Sequence, residues 1–222
     1  MPTTFNKPAG LPVFPPHADP RGDCVLRRLL EREPGRQAIP WPPGFEGGIV
    51  HRLDNGTSGA VLAANDLQEL EVIRGYFRDH RLVKTYLLLA AKDVPWSRNQ
   101  CQAPLAHHPR KRDRMVVRRG ANTPHRGKWY DAETSFRRLA GRLWQATITT
   151  GITHQIRAHA AFLGIPIQGD KTYGGGPGPA PGISPGSPGF FLHHAAVRGP
   201  DGFHSDPVPP PDWASNPGAS RS

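Results

Sequence analysis

Glycine and proline interrupt this chain so often that no long regular element fits within it: 25 glycines and 26 prolines are spread over 222 residues. Proline removes a backbone donor and glycine weakens helices and strands from within, so much of the backbone must be turn and loop. Only 36% of the residues are hydrophobic, yet a chain of this length still buries most of its apolar surface on folding. Together these constraints predict a compact body with long irregular excursions. The densest interruption runs from 174 to 189, where glycine and proline leave too little apolar surface to fold alone.

Between the interruptions the patterning is short and mixed. Residues 5–13 read as a brief extended piece, and Val25 to Glu33 has leucines at helical spacing. The stretch 34–48 reads as loop. Ile49 to Leu53 then reads as a strand entering the Asp54-Asn55-Gly56 turn, with Ala60 to Ala63 as a strand leaving it. Asn65 or Asp66 can cap a helix whose apolar positions are Leu67, Leu70, Ile73, Tyr76 and Phe77. Val83 to Ala91 predicts a strand with Lys84, Tyr86, Leu88 and Ala90 on one face. Leu143 to Thr149 alternates as a half-buried strand with Trp144, Ala146 and Ile148 inward. Thr153 is the expected cap of a helix through Leu163, ended by Gly164 and Pro166. Strands scattered among fewer helices imply an α+β body rather than a repeating βαβ pattern.

The charge balance narrows the partners. Lys and Arg outnumber Asp and Glu by 28 to 18, for a net charge of +10 and a pI of about 10.3. Such an excess attracts polyanions, with nucleic acid first among them. A membrane partner is not expected, because there is no basic amphipathic helix, apolar leader or membrane-length run. Cys24 and Cys101 are too few for a disulfide framework and lack zinc-ligand spacing. His154 and His159 stand five apart, the wrong spacing for paired metal ligands on one helix face. A cytoplasmic location follows as the expectation.

Within this basic chain, His51-Arg52-Leu53-Asp54-Asn55-Gly56-Thr57-Ser58-Gly59 sets a carboxylate in a glycine-flanked turn beside an arginine. Asp-Asn-Gly is turn chemistry in its own right, so these residues alone leave Asp54 open between a turn former and a catalytic group. Gly56 to Ala60 misses the G-x-S-x-G nucleophile elbow by one position. Gly169-Asp170-Lys171-Thr172 lacks the upstream glycine of a phosphate-binding loop. The run 107–119 carries Arg110, Lys111, Arg112, Arg114, Arg118 and Arg119, dense enough to track a phosphate backbone.

The stretch around Asp54 resembles the catalytic motif of the RluA family of pseudouridine synthases, and the likeness recurs in order along the chain. Asn6 to Pro12 resembles the family's opening segment and Lys84-Thr85-Tyr86 its Lys-x-Tyr strand. Thr150 to His159, continued by Leu163-Gly164 and Pro166 to Asp170, resembles the third motif, and Phe191 to Ala195 the final strand. The resemblance implies an α+β pseudouridine synthase catalytic fold, with a mixed, largely antiparallel sheet and flanking helices and loops around a central RNA-binding cleft. It implies one catalytic domain over 1–204, followed by a flexible tail over 205–222.

It also implies an isomerase that converts specific uridines in ribosomal or transfer RNA to pseudouridine, without cofactor or metal and as a monomer. Asp54 maps onto the nucleophile, Arg157 onto its cationic partner, and Tyr86 onto the residue that stacks on the uracil. Both routes of attack, at C6 of the base or at the anomeric carbon, stay open. Arg52 maps onto the arginine that helps hold RNA when a base leaves the stack, and Leu192 onto an apolar closure of the pocket. His51, His154, Gln155 and Thr57 read as hydrogen-bonding neighbours of the substrate site.

Ile152 departs from the family, which usually has arginine there, and the separate N-terminal RNA-binding domain of many relatives is not seen. Two other readings stay in view: an RNA-binding protein without catalysis, and a basic scaffold for ribosome assembly.

Overall fold

The computed structural model describes residues 1–176 and 189–215; most of the glycine- and proline-rich stretch 174–189 lies outside them. In chain order the elements are β1 (Thr3–Lys7), α1 (Val25–Arg32), β2 (Ser58–Ala63), α2 (Leu67–Arg78), β3 (Val83–Leu89), β4 (Arg98–Cys101) and β5 (Leu105–His107). They continue with β6 (Met115–Val117), β7 (Arg126–Tyr130), β8 (Thr134–Ala140), β9 (Leu143–Ile148), α3 (Gln155–Phe162), β10 (Leu192–Arg198) and α4 (Asp212–Ser215). The chain forms two compact units, one from Met1–Lys84 with His193–Pro209 and the other from Thr85–Leu192 with Pro210 onward.

In the first unit β1 runs antiparallel to β2, with Thr3 opposite Ala63 and Lys7 opposite Gly59, while β10 lies parallel to β2 with His193 opposite Ser58. The sheet is therefore mixed, as expected. Leu62, Leu70, Ile73, Leu82 and Val197 form its core, with Trp41, Phe45, Tyr76, Phe77 and Phe203 packed around them. Helix α2 starts where Asp66 accepts a hydrogen bond from Glu69 N at 2.8 Å, and Glu69 reaches back to Asn65 N at 2.8 Å. Of its expected apolar face, Leu70 and Ile73 are fully buried, but Leu67, in the first turn, is exposed. Helix α1 is capped by a thiol: Cys24 Sγ accepts from Arg27 N at 3.4 Å.

Two expectations for this unit need correction. Of Ile49 to Leu53, only Ile49 makes a β-bridge, to Ala63, before the chain turns at Asp54. The stretch 34–48 is more ordered than loop, with 3-10 turns at Pro34–Ala38 and Glu46–Gly48. The buried Arg36 organises it. Its guanidinium donates to Gly47 O at 3.0 Å, Thr3 Oγ1 at 2.8 Å, Asn65 Oδ1 at 2.9 Å and Ala64 O, and pairs with Glu33 at 2.6 Å. One cation thus satisfies carbonyls that a proline- and glycine-rich backbone cannot pair within itself.

The second unit carries an antiparallel run of β9, β8 and β4, and a three-stranded sheet with β5 between β6 and β7. Trp144 of β9 is fully buried against Trp96, ring centroids 4.6 Å apart. The alternation read from Leu143 to Thr149 holds: Trp144, Ala146 and Ile148 are buried, whereas Gln145 and Thr147 are partly exposed. Cys101 is buried on β4, as Cys24 is in the first unit, and both are free thiols. The expected loose tail does not begin at 205. Ser205, Val208, Trp213 and Ala214 are buried, and Trp213 packs edge-on against Phe191 at 5.6 Å.

Gly59 sets the tightest backbone approach in the first unit. Its φ is +112°, and a Cβ there would lie 2.1 Å from His194 O on the neighbouring strand. Substituting Gly59→Ala therefore imposes both a disfavoured backbone angle and a backbone clash, and should cost about 3 kcal/mol or more. Urea unfolding monitored by tryptophan fluorescence checks this; an unchanged midpoint would contradict it.

Candidate active site

The acidic turn is built around a buried ammonium. Lys7, at the end of β1, is fully buried, and its Nζ donates to Asn55 O at 2.9 Å and Pro8 O at 3.1 Å. Gly10 N donates to the same Asn55 carbonyl at 2.7 Å, and Thr57 N donates to Asp54 O at 3.0 Å, closing the turn. Burial pulls the lysine down to about 8, while the Asp54 carboxylate opposes that shift. Asp54 is half-buried, Arg52 is exposed and Thr57 is buried. The turn thus presents a carboxylate next to an enclosed cation.

Behind the turn, His51 and His193 are packed rather than solvated. His51 Nε2 accepts from Leu62 N at 3.1 Å, and its ring lies 5.6 Å from Phe77 and 5.5 Å from His194. Burial first, then the Lys84 charge, hold it down to about 4. His193 shares a hydrogen bond with Ser58 Oγ at 2.9 Å and is likewise pushed to about 4 by burial. Both are uncharged at neutral pH, so they serve as hydrogen-bonding and packing groups.

In the second unit Tyr86 and Leu192 are buried, and Arg157 is clamped on α3. Arg157 Nε donates to Asp170 Oδ2 at 2.8 Å and Nη2 to Asp170 Oδ1 at 3.0 Å, a two-pronged pair with a carboxylate that is itself buried. Asp170 also accepts from Thr172 N at 3.1 Å and Tyr173 N at 3.2 Å. The rings of Tyr173 and Phe190 lie 5.2 and 5.3 Å from the guanidinium carbon. Such a fork fixes the plane of the guanidinium. Motif reading placed Asp170 at the end of the third motif and in a failed phosphate loop, but gave it no role beside Arg157. The overlooked signal was a carboxylate retained among glycines in a +10 chain.

The start of α3 also differs from expectation. Thr153 is not its cap; His154 occupies that position in a left-handed conformation, φ 54°, without a side-chain cap. The loop is closed instead by Gln155, whose Oε1 accepts from Thr150 Oγ1 at 2.8 Å and Ile152 N at 3.1 Å. Its Nε2 donates to Glu133 O at 2.8 Å and Thr134 Oγ1 at 3.2 Å. His154 Nδ1 meets Tyr173 Oη at 3.1 Å. Ile152 packs on a cluster of Leu105, Met115, Ala132, Ala158 and Tyr173, so its side chain joins the β5–β6 hairpin to α3.

The basic run is that hairpin. Leu105 pairs with Val117 and His107 with Met115, and His108 Nδ1 accepts from Arg110 N and Lys111 N, both at 3.1 Å. Arg110, Lys111 and Arg112 are exposed on the connecting turn. Arg114 lies over Tyr173 at 5.4 Å, Arg118 over Trp129 at 5.8 Å and Arg119 over Phe162 at 5.7 Å. Among the described residues none of the six has an ion-pair partner.

Residues 3–162 match the sequence profile described as RNA pseudouridylate synthase. The chain belongs to that family. It is 37% identical over 131 residues to RNA pseudouridine synthase 2, chloroplastic, of Oryza sativa subsp. japonica, covering 58% of this chain and 29% of that protein. It is 37% identical over 175 residues to ribosomal large subunit pseudouridine synthase D of Xanthomonas campestris pv. campestris, covering 77% and 48% respectively. The chain thus spans about half or less of the length of these curated relatives. The structure of human RNA pseudouridylate synthase domain containing 1 superposes with a TM-score of 0.71 at 23% identity, over 96% of this chain and 81% of that one. This likeness supports the synthase fold expected from the motifs. Among the described residues no group of three His, Cys, Asp or Glu gathers as for a metal, and no helix is long and apolar enough to cross a membrane.

The depressed histidines of this synthase domain make its stability pH-dependent. The ordinary imidazole titrates near 6.5, whereas His51 and His193 do so near 4 in the fold. Between those values the unfolded chain binds protons that the folded chain refuses, so stability should fall as pH drops from about 6.5 to 4. A His193→Asn variant should lower that slope by up to about 1.4 kcal/mol per pH unit in denaturant titrations. An unaltered slope would show that His193 titrates normally.

Proposed function

We propose that this chain is an RNA pseudouridine synthase domain that isomerises uridine in RNA, with Asp54 as nucleophile. The observation that carries this reading is the Asp54 turn itself: a family motif whose carboxylate sits beside the buried Lys7 ammonium in a turn closed by three hydrogen bonds to backbone carbonyls. A nucleophilic carboxylate must be fixed in place, and this turn supplies that condition.

In the reaction the bond between N1 of uracil and the ribose breaks, the base turns, and C5 bonds to the same ribose carbon. The proton lost from C5 is balanced by one gained at N1, so neither cofactor nor metal is consumed. Asp54 attacks the flipped nucleotide. Tyr86 stacks on the uracil and Arg157 serves as the cation for the carboxylate, roles supported by their positions in the family motifs and, for Arg157, by the fork to Asp170. Arg52, exposed next to the nucleophile, fills the gap left by the extruded base. Leu192, Thr57, His154 and Gln155 contact the substrate, roles supported by their positions in the family motifs. The hairpin cations Arg110, Lys111, Arg112, Arg114, Arg118 and Arg119 bind the RNA backbone.

Ribosomal RNA is the favoured substrate, because curated relatives such as the Xanthomonas protein are named for the large ribosomal subunit. The protein acts as a monomer in the cytoplasm. Asp54→Asn should abolish release of label from carbon 5 of uridine in ribosomal RNA while the protein stays folded by circular dichroism. Turnover by that variant would remove Asp54 as the nucleophile; RNA binding without turnover by the unaltered protein would make it a binding protein. A scattering mass of a dimer would overturn the monomer.

A further inference from the structure

The β5–β6 hairpin covers a cavity of about 780 Å³. Its floor is apolar, from Met115, Val117, Ala158 and Tyr173, and Phe162 stands at its rim. Phe162, the last residue of α3, keeps 39% of its surface exposed, unusual for a large aromatic in a chain of low hydrophobic content. Arg110, Arg114 and Arg119 line the same space, and none of its lining residues is acidic. Arg119 lies over one face of the Phe162 ring at 5.7 Å, which places a guanidinium beside the exposed aromatic surface.

Each feature matches one part of a nucleotide. The volume lies within the range of small-molecule sites, roughly 300–1,000 Å³. Unpaired guanidinium groups suit phosphate, and an exposed aromatic ring suits an unstacked base. A duplex hides its base faces, so the ring has a use only where the RNA is unpaired. His108 reinforces the wall: its Nδ1 accepts from two backbone N–H groups, which leaves Nε2 as the ring nitrogen that can donate.

We propose that this cavity binds an unpaired RNA nucleotide other than the target uridine, its base stacked on Phe162 and its phosphates held by Arg110, Arg114 and Arg119. The proposal rests on the reading that RNA is the substrate. It adds that the synthase domain selects RNA by a second single-stranded contact on the helix that carries Arg157.

Fluorescence anisotropy with a labelled oligouridylate, single-stranded or paired with oligoadenylate, tests it. Phe162→Ala should weaken single-strand binding about tenfold, since base stacking on an aromatic is worth roughly 1–3 kcal/mol. The duplex should be unaffected by it, and Phe162→Tyr should bind both as the unaltered protein does. Arg119→Gln should lower the salt dependence of both by about one phosphate contact. Wild-type single-strand affinity in Phe162→Ala would overturn the proposal, as would equal losses for single strand and duplex at an unchanged melting temperature. None of these measurements needs turnover. An inactive protein that binds through Phe162 keeps this site and loses the isomerase reading; an active one indifferent to Phe162 does the reverse.

Discussion

The buried ammonium of Lys7 is the constraint on which the acidic turn depends. An uncompensated charge in a protein interior is prohibitive, so its partners are obligatory. Here they are the carbonyls of Pro8 and Asn55, with the Asp54 carboxylate as the opposing charge. Because Lys7 ends β1 and Asn55 lies in the turn ahead of β2, one side chain couples the sheet edge to the position of the Asp54 turn. The close pass of Gly59 beneath His194 then locks β2 against β10, so the turn is held at both ends.

What was legible in the sequence is what depends on local pattern. Alternation at 143–149, the cap at Asp66, the stop at Gly164 and the acidic turn could all be read from spacing, because each is decided within a few residues. What was not legible depends on distant partners. The order in 34–48 comes from Arg36 reaching Ala64 and Asn65, and the packing after 205 comes from Trp213 meeting Phe191. Thr153 looked like a cap by type, but the job is done by the Gln155 amide, which reaches back to Thr150 and across to Glu133. Of the candidate site, the family motifs carried Asp54, Tyr86 and Arg157. The role of Asp170 was invisible because it lies in a fork with a residue thirteen positions earlier.

The division of charge follows the same logic. Carboxylates that face cations are used for order, at Glu33 with Arg36, Asp93 with Arg138 and Asp170 with Arg157. The hairpin cations are instead left to aromatic faces and solvent. Ile152 fits this scheme: an apolar residue joins the hairpin to α3 by packing, and the cations of that region sit on the hairpin itself. Basic charge in this chain is therefore sorted by location, with the paired cations structural and the unpaired ones displayed.

The two thiols carry a practical consequence. Cys24 caps α1 in one compact unit and Cys101 lies buried on β4 in the other, and both are free. A thiol reagent can reach either sulfur only when its own unit opens, since reactivity requires exposure. Every molecule thus carries two native clocks, one per unit, and the ratio of their modification rates reads out whether the halves of a synthase domain breathe together or separately.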